Sequence, residues 1–253
     1  MIQDAHDRLR PVLAKRDHGF RWRGHDISRI EGLSDAVFAF AITLLVVSLE
    51  VPKTFSELRE MMRGFLSFGM CFALLLLIWH AQYLYFRRYA LDDRRTFLLN
   101  AALLFVVAFY IYPLKFLFSA LVDSATGYQA MKDGVPIPRM NRDEWSQLML
   151  IYGAGFMGVY VIFALLYRHA YRLRDALELS AMEAYETRGV VQEQLVMIGI
   201  GALSVGLALV RQPSLSGMVY MLIGPMQTML GVKHGKRRKA LSGELLIGSS
   251  VDG

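Results

Sequence analysis

Ala36, Phe40, Thr43, Val47 and Glu50 recur at spacings of four, three, four and three, which places them on one face of a helix. In chain order that face carries a small residue, a ring, a hydroxyl, a branched aliphatic and a carboxylate. Several copies gathered about an axis would make a hydrophobic constriction, a ring of hydroxyls and a negative mouth. Hydrophobic constrictions gate by dewetting, and acidic rings draw cations. A plainer reading stays open on these residues alone: Phe40 and Val47 as packing groups, and Thr43 bonded back to its own helix.

The same segment, "RIEGLSDAVFAFAITLLVVSLEVP", opens with charge before it turns apolar. Asp35 stands at the edge of the hydrocarbon, where a carboxylate is costly unless it is paired or reaches water. Arg29 and Glu31 lie just before it. A second apolar block supplies Trp79, His80 and Gln82, and a third begins near Asn100. All these groups fall near the same membrane face, so a polar network among Arg29, Ser34, Asp35, Trp79, His80 and Asn100 is expected to hold the helices together. For His80, a simple interfacial histidine is the alternative.

Other chemistry finds little support. His6, His18 and His25 lack metal-ligand spacing. No phosphate loop, Cys/His cluster or Ser-His-Asp order is present, so no catalytic residue, metal or cofactor is expected. The lone Cys71 falls inside an apolar block and reads as a small filler.

The elements that must position these residues are transmembrane helices. Of the 253 residues, 55% are hydrophobic, and they come in blocks of the length that crosses a bilayer. Six blocks are expected, near 33–51, 64–86, 97–121, 146–167, 191–210 and 213–232. The fold class is therefore an all-α integral membrane protein. Of the 28 Lys and Arg, 20 fall before the first block, in the second and fourth connections and after the sixth; the other 8 lie on the opposite side. That is the positive-inside pattern with both termini cytoplasmic, in the plasma (inner) membrane. The net charge of +6 thus records topology rather than nucleic-acid binding.

The organisation expected is a cytoplasmic arm over 1–28, a six-helix membrane domain over 29–235, and a basic, then flexible, tail over 236–253. The arm has the make-up of an amphipathic surface helix. "SELREMM" reads as a short interfacial helix, and "RLRDALELSAMEAYETRG" as a helical extension or hairpin. The pairs Ala154/Gly158 and Ala202/Gly206 predict close helix packing.

"RIEGLSD" resembles the Arg-x-x-x-Phe-Ser-Asp signature of the transmembrane protein 175 family, the endolysosomal potassium channel of animals and its bacterial and archaeal relatives. Arg29, Ser34 and Asp35 match, and Leu33 replaces the usual Phe. "IWHAQYLYFRR" and "FLLNAALLFVVAFYIYPLKFLF" extend the resemblance across about 29–120. It implies a homotetramer in the lipid bilayer whose first helix lines a central K⁺ pathway without a re-entrant selectivity loop. In the family a bulky aliphatic residue five positions after the motif Asp forms the constriction; here that position is Phe40, which would seal more tightly or attract cations through its ring. Thr43 matches the family hydroxyl, and Val47 the next apolar rung.

The function expected is passive conduction of K⁺ and other monovalent cations. A secondary or proton-coupled transporter, or a non-conducting scaffold or sensor subunit, are the alternatives. The central thirds of the spans hold almost no acidic residues, which counts against a transporter.

Overall fold

The computed structural model describes residues 16–17, 20–24, 26–47, 51–127, 130–132, 135–137, 140–232 and 235. Six helices are long and apolar enough to cross a membrane: α1 (Arg29–Val47), α3 (Phe65–Tyr89), α4 (Arg94–Thr126), α5 (Arg142–Arg172), α6 (Ala181–Leu209) and α7 (Pro213–Val232). The interfacial helix predicted between the first two is present as α2 (Phe55–Arg63).

Local chemistry sets the boundaries. Asn141 and Ser180 each bond back to a Glu three residues on, Glu144 and Glu183, so α5 and α6 both start on capping boxes. Asp93 caps α4 by accepting from the Arg95 N–H. Gly127 ends α4 at φ 67, a left-handed position that suits glycine. A 3₁₀ turn, Val219–Leu222, interrupts α7.

Several spans run past their expected ends, α6 and α5 among them. α6 begins at Ala181 rather than near 191, and α5 continues to Arg172 rather than 167. Hydropathy marks only the length immersed in hydrocarbon, and these ends run on beyond it as polar helix. The segment expected as an extension or hairpin holds the corner between α5 and α6 and then, from Ala181 on, the first turns of α6 as a helical extension.

The described part of the arm is a two-strand ribbon, β1 (Arg16–Asp17) with β2 (Phe20–Arg21), not a helix. Residues 1–15 and 236–253, where the rest of the arm and the tail were assigned, lie outside the described residues. Phe20 is buried edge-on against Tyr89 at 5.6 Å, with the Arg88 guanidinium 5.1 Å from its ring. The next residues satisfy the open carbonyl end of α3, as the Arg23 and Gly24 N–H groups donate to Arg87 O at 2.9 and 3.2 Å. A second ribbon, β3 (Ala130–Lys132) with β4 (Val135–Ile137), lies between α4 and α5.

The core gathers where α1, α3, α4 and α5 meet, around Leu45, Leu75, Tyr85, Leu103 and Leu166. Close helix approach occurs at Gly153, Gly155 and Gly201 rather than at the predicted Gly158 and Gly206. A methyl at Gly153 would stand 2.5 Å from a Val205 methyl, and one at Gly155 would run into the Tyr110 ring. By contrast Gly206 has nothing within 4 Å. The spacing of small residues was right in kind; the helix rotation that selects the inward ones is set by packing.

Val205 is β-branched and has one strongly preferred helical rotamer, so it cannot swing aside. Gly153→Ala is therefore expected to destabilise by about 1–3 kcal/mol through overpacking, while Gly206→Ala leaves stability unchanged or slightly higher. Melting temperatures in detergent compare the two.

Candidate functional site

The first helix has two faces of opposite character. Ser34, Phe38, Ala41 and Leu45 are buried, and they share one side at spacings of four, three and four. Ala36, Phe40, Thr43 and Val47 lie on the other side, since 100° per residue sets them about half a turn away. Phe40 is 60% exposed and Val47 71%, and Thr43 is exposed as well. The Thr43 hydroxyl donates to Ala39 O at 2.9 Å, the back-bond that the plainer reading foresaw. That bond uses its proton and leaves oxygen lone pairs facing outward. Glu50, the predicted end of the stripe, lies outside the described residues.

Ser34 fixes the buried face. Its hydroxyl donates to Ile30 O at 2.8 Å and accepts from Gln82 Nε2 at 2.8 Å and Asn100 Nδ2 at 2.9 Å. One donor and two lone pairs are thus all used. Gln82 Nε2 donates also to Asn100 Oδ1, closing a triangle across α1, α3 and α4. All three side chains are at most 2% exposed. Buried polar groups in a bilayer are tolerated when their partners are complete, and this set holds three helices in one register.

A second group lies beside it on the outer side of α1. Trp79 Nε1 donates to Asp35 Oδ1 at 2.8 Å, which orients a carboxylate at the same end of the helix as the triangle. Trp79 and His80 both stack on Tyr83, at 5.9 and 6.1 Å. Trp22 from the arm meets the same ring edge-on, and the Arg87 guanidinium stands 5.3 Å from its centre.

The predicted members thus fall into two groups. Ser34 and Asn100 meet in the triangle, and Asp35 and Trp79 meet on its flank. Among the described residues His80 reaches only the Tyr83 ring, and its side chain is exposed. Arg29 is exposed on the first turn. The ion pair at this end is instead Glu31 with Arg87, at 3.3 Å and with both side chains about nine-tenths buried.

Gln82 and Glu31 were named as nearby polar groups but left out of the expected network, and Ser28 was not named. Gln82 sits at the centre of the triangle, and its depth next to Trp79 and His80 was the available signal. Ser28 and Glu31 form a capping box at the start of α1, with N–H to side-chain bonds of 3.1 and 3.2 Å. The pattern "SRIE" encodes it in plain view.

The arm and the α5–α6 corner brace this end. Arg23 pairs with Glu183 at 2.8 Å, both nearly buried, and donates to Leu177 O at 2.9 Å. Asp93, beside the first turn of α4, accepts from the Thr96 hydroxyl at 2.6 Å and pairs with His169 at 2.9 Å. Burial opposes ionisation of Asp93, but the Thr96 bond and His169 outweigh it, and its carboxyl is held below the ordinary value of 3.8.

A lowered folded-state value means that the stabilisation is present above 3.8 and is lost as pH falls through the lower value. Asp93→Asn keeps the cap and removes the charge. The variant should melt slightly below wild type at pH 6, by well under about 1 kcal/mol for so open a pair. The gap should close as pH drops below 3.8. A melting series over pH 3 to 6 measures it.

Among the described residues no group of three or more His, Cys, Asp or Glu could hold a metal ion. What the arrangement offers is a helix clamped on one side and bare on the other, with a ring, a hydroxyl and a branched aliphatic along the bare side.

Residues 29–110 match the family model of the endosomal/lysosomal potassium channel TMEM175. A potassium channel of Marivirga tractuosa is 36% identical over 230 residues, covering 88% of this chain and 93% of that protein. A potassium channel of Chamaesiphon minutus is 28% identical over 153 residues, covering 57% of this chain and 66% of that protein. The crystal structure of a variant of the potassium channel MtTMEM175, in complex with a nanobody–MBP fusion protein, superposes with a TM-score of 0.76. It is 35% identical and covers 87% of this chain and 99% of that one.

Proposed function

Because the chain belongs to the TMEM175 potassium channel family, we propose that it conducts K⁺ passively through a central pore lined by α1. Four copies surround that pore, each turning the stripe of Phe40, Thr43 and Val47 inward, with Phe40 as the constriction. Glu50 continues the stripe by sequence spacing and would give the outer mouth its negative charge. Both termini lie in the cytoplasm, and the membrane is the plasma (inner) membrane.

The observation that carries this reading is the asymmetry of α1. A lipid-facing surface would not need a hydroxyl, and here Thr43 stands on the side that meets no other helix among the described residues, while Asp35, between the two faces, is oriented by Trp79 of α3. The triangle of Ser34, Gln82 and Asn100 holds the other side, so the stripe has a fixed direction rather than a mobile one. The resemblance of the "RIEGLSD" edge to the family signature supports the same roles for Ser34 and Asp35.

The test is a flux assay on purified protein in vesicles. A K⁺ gradient alone, with no gradient of any coupling ion, should drive flux that exceeds Na⁺ flux under the mirrored condition. Flux that stops unless an H⁺ or Na⁺ gradient is supplied would contradict passive conduction and point to a coupled carrier.

A further inference from the structure

At the Arg-rich end of the bundle, α4 and α5 leave a recess of about 370 Å³ between the first turn of one and the last turns of the other. Arg95 enters it from α4, and Arg168 and Arg172, one turn apart, enter from α5. All three are exposed. Three other arginines at this end have acidic partners: Arg23 has Glu183, Arg87 has Glu31, and Arg174 has Asp175. Among the described residues Arg95, Arg168 and Arg172 have none, so three guanidinium groups converge on one recess with their charge uncommitted. The carboxylate nearest the start of α4, Asp93, is taken up by Thr96 and His169.

The wall of the recess away from the helix ends is apolar. Leu98, one turn into α4 from Arg95, is 55% exposed, and Leu165, one turn before Arg168, is 43% exposed. Basic groups at the level of the helix ends, with leucines one turn deeper, match the order of a phospholipid from phosphate to acyl chain. A positive-inside excess alone does not require this: it asks for Lys and Arg in the connections, not for three on facing helix walls around a leucine-lined hollow.

We propose that this recess binds the headgroup of an anionic phospholipid in the leaflet at the Arg-rich end. Its phosphate lies among Arg95, Arg168 and Arg172, and its chains run over Leu98 and Leu165. The planar fork of each guanidinium suits phosphate oxygens. Basic pockets between transmembrane helices on the cytoplasmic side are a known form of acidic-headgroup site. The leucine wall favours a lipid over a free phosphate, which has no use for it.

The test is native mass spectrometry of the purified full chain in detergent, titrated separately with phosphatidylglycerol, phosphatidylcholine and glycerol 3-phosphate. Phosphatidylglycerol should be retained and phosphatidylcholine should not. With about fivefold in affinity expected per guanidinium, the Arg95→Gln, Arg168→Gln, Arg172→Gln triple variant should lose on the order of 100-fold. Arg174→Gln, a basic residue on the same side but outside the recess, should bind as wild type does. If the triple variant does not fold, Arg168→Gln alone should still show about a fivefold loss. Equal retention of phosphatidylcholine, or undiminished binding by these variants, overturns the site. Displacement of the lipid by glycerol 3-phosphate at equal concentration overturns its assignment to a lipid. The readout is independent of ion flux, so it stands apart from the conduction reading.

Discussion

Phe40→Ala is expected to raise K⁺ flux about tenfold in reconstituted vesicles, the effect of removing about 1.4 kcal/mol from the barrier. Phe40 is 60% exposed in the single chain and lies opposite the buried face of α1, so four copies about an axis would bring four rings together. A ring of that kind excludes water, and an ion crossing it must shed part of its shell. The ring also offers a cation–π attraction worth about 0.5–2 kcal/mol. The two effects predict opposite signs for Ala, and Phe40→Leu separates them. A dewetted seal keeps low flux with Leu and loses it with Ala; an attractive ring gives reduced flux with both. We expect the seal to dominate, because Phe40 is the bulkiest apolar group on the stripe and the nearest hydroxyl, Thr43, lies one turn away rather than at the ring itself. Flux unchanged by both substitutions would remove Phe40 from the pathway.

Asn100→Leu is the second change with a large expected effect. Asn100 both donates to Ser34 and accepts from Gln82 in a site that is 1% exposed. Leucine leaves a Gln82 N–H and a Ser34 lone pair without partners at once. An unsatisfied buried group costs about 1–3 kcal/mol. Interhelical hydrogen bonds in bilayers average nearer 0.6 kcal/mol, because the separated helices find other partners. Two orphaned groups in a packed interior put the expected loss at about 2 kcal/mol. Because α1 would then lose its register, K⁺ flux should fall along with the melting temperature. Trp79→Phe, which removes one bond to the exposed Asp35, should cost less than half as much. In a double-mutant cycle with Ser34→Ala, the losses should be clearly less than additive, since the pair shares one network. Full additivity would mean that the triangle does not act as a unit.

The six spans were legible in the sequence because bilayer immersion demands unbroken apolar length, which composition records directly. The two faces of α1 were legible for a similar reason: Ala36, Phe40, Thr43 and Val47 keep helical spacing, and the geometry of one helix needs no tertiary knowledge. The shared depth of Ser34, Asp35, Trp79 and Asn100 followed from counting along antiparallel helices.

Other features depend on rotation and docking, which spacing does not encode. Which of Trp79, His80 and Gln82 faces α1 is decided by how α3 turns, and Gln82 rather than His80 points to Ser34. The inward glycines are Gly153, Gly155 and Gly201 for the same reason. The arm was read as a helix from its mixed charges, yet Phe20 is buried and Arg23 is fixed to Glu183, 160 residues away. Only the folded α5–α6 corner creates that site. Hydropathy also missed the first turns of α6, where buried Glu183 and Thr187 continue the helix as polar residues.

The central claim is that the bare stripe of α1 faces the ion pathway, and cysteine accessibility tests it most directly. In a Cys71→Ala background, single cysteines are placed at Thr43 and Val47 on the stripe and at Ala41 on the buried face, and each is treated with a water-soluble, positively charged thiol reagent during K⁺ flux. The account predicts block of flux through the Thr43 and Val47 cysteines and no effect at Ala41. Block at Ala41 with none at Thr43 and Val47 would contradict it.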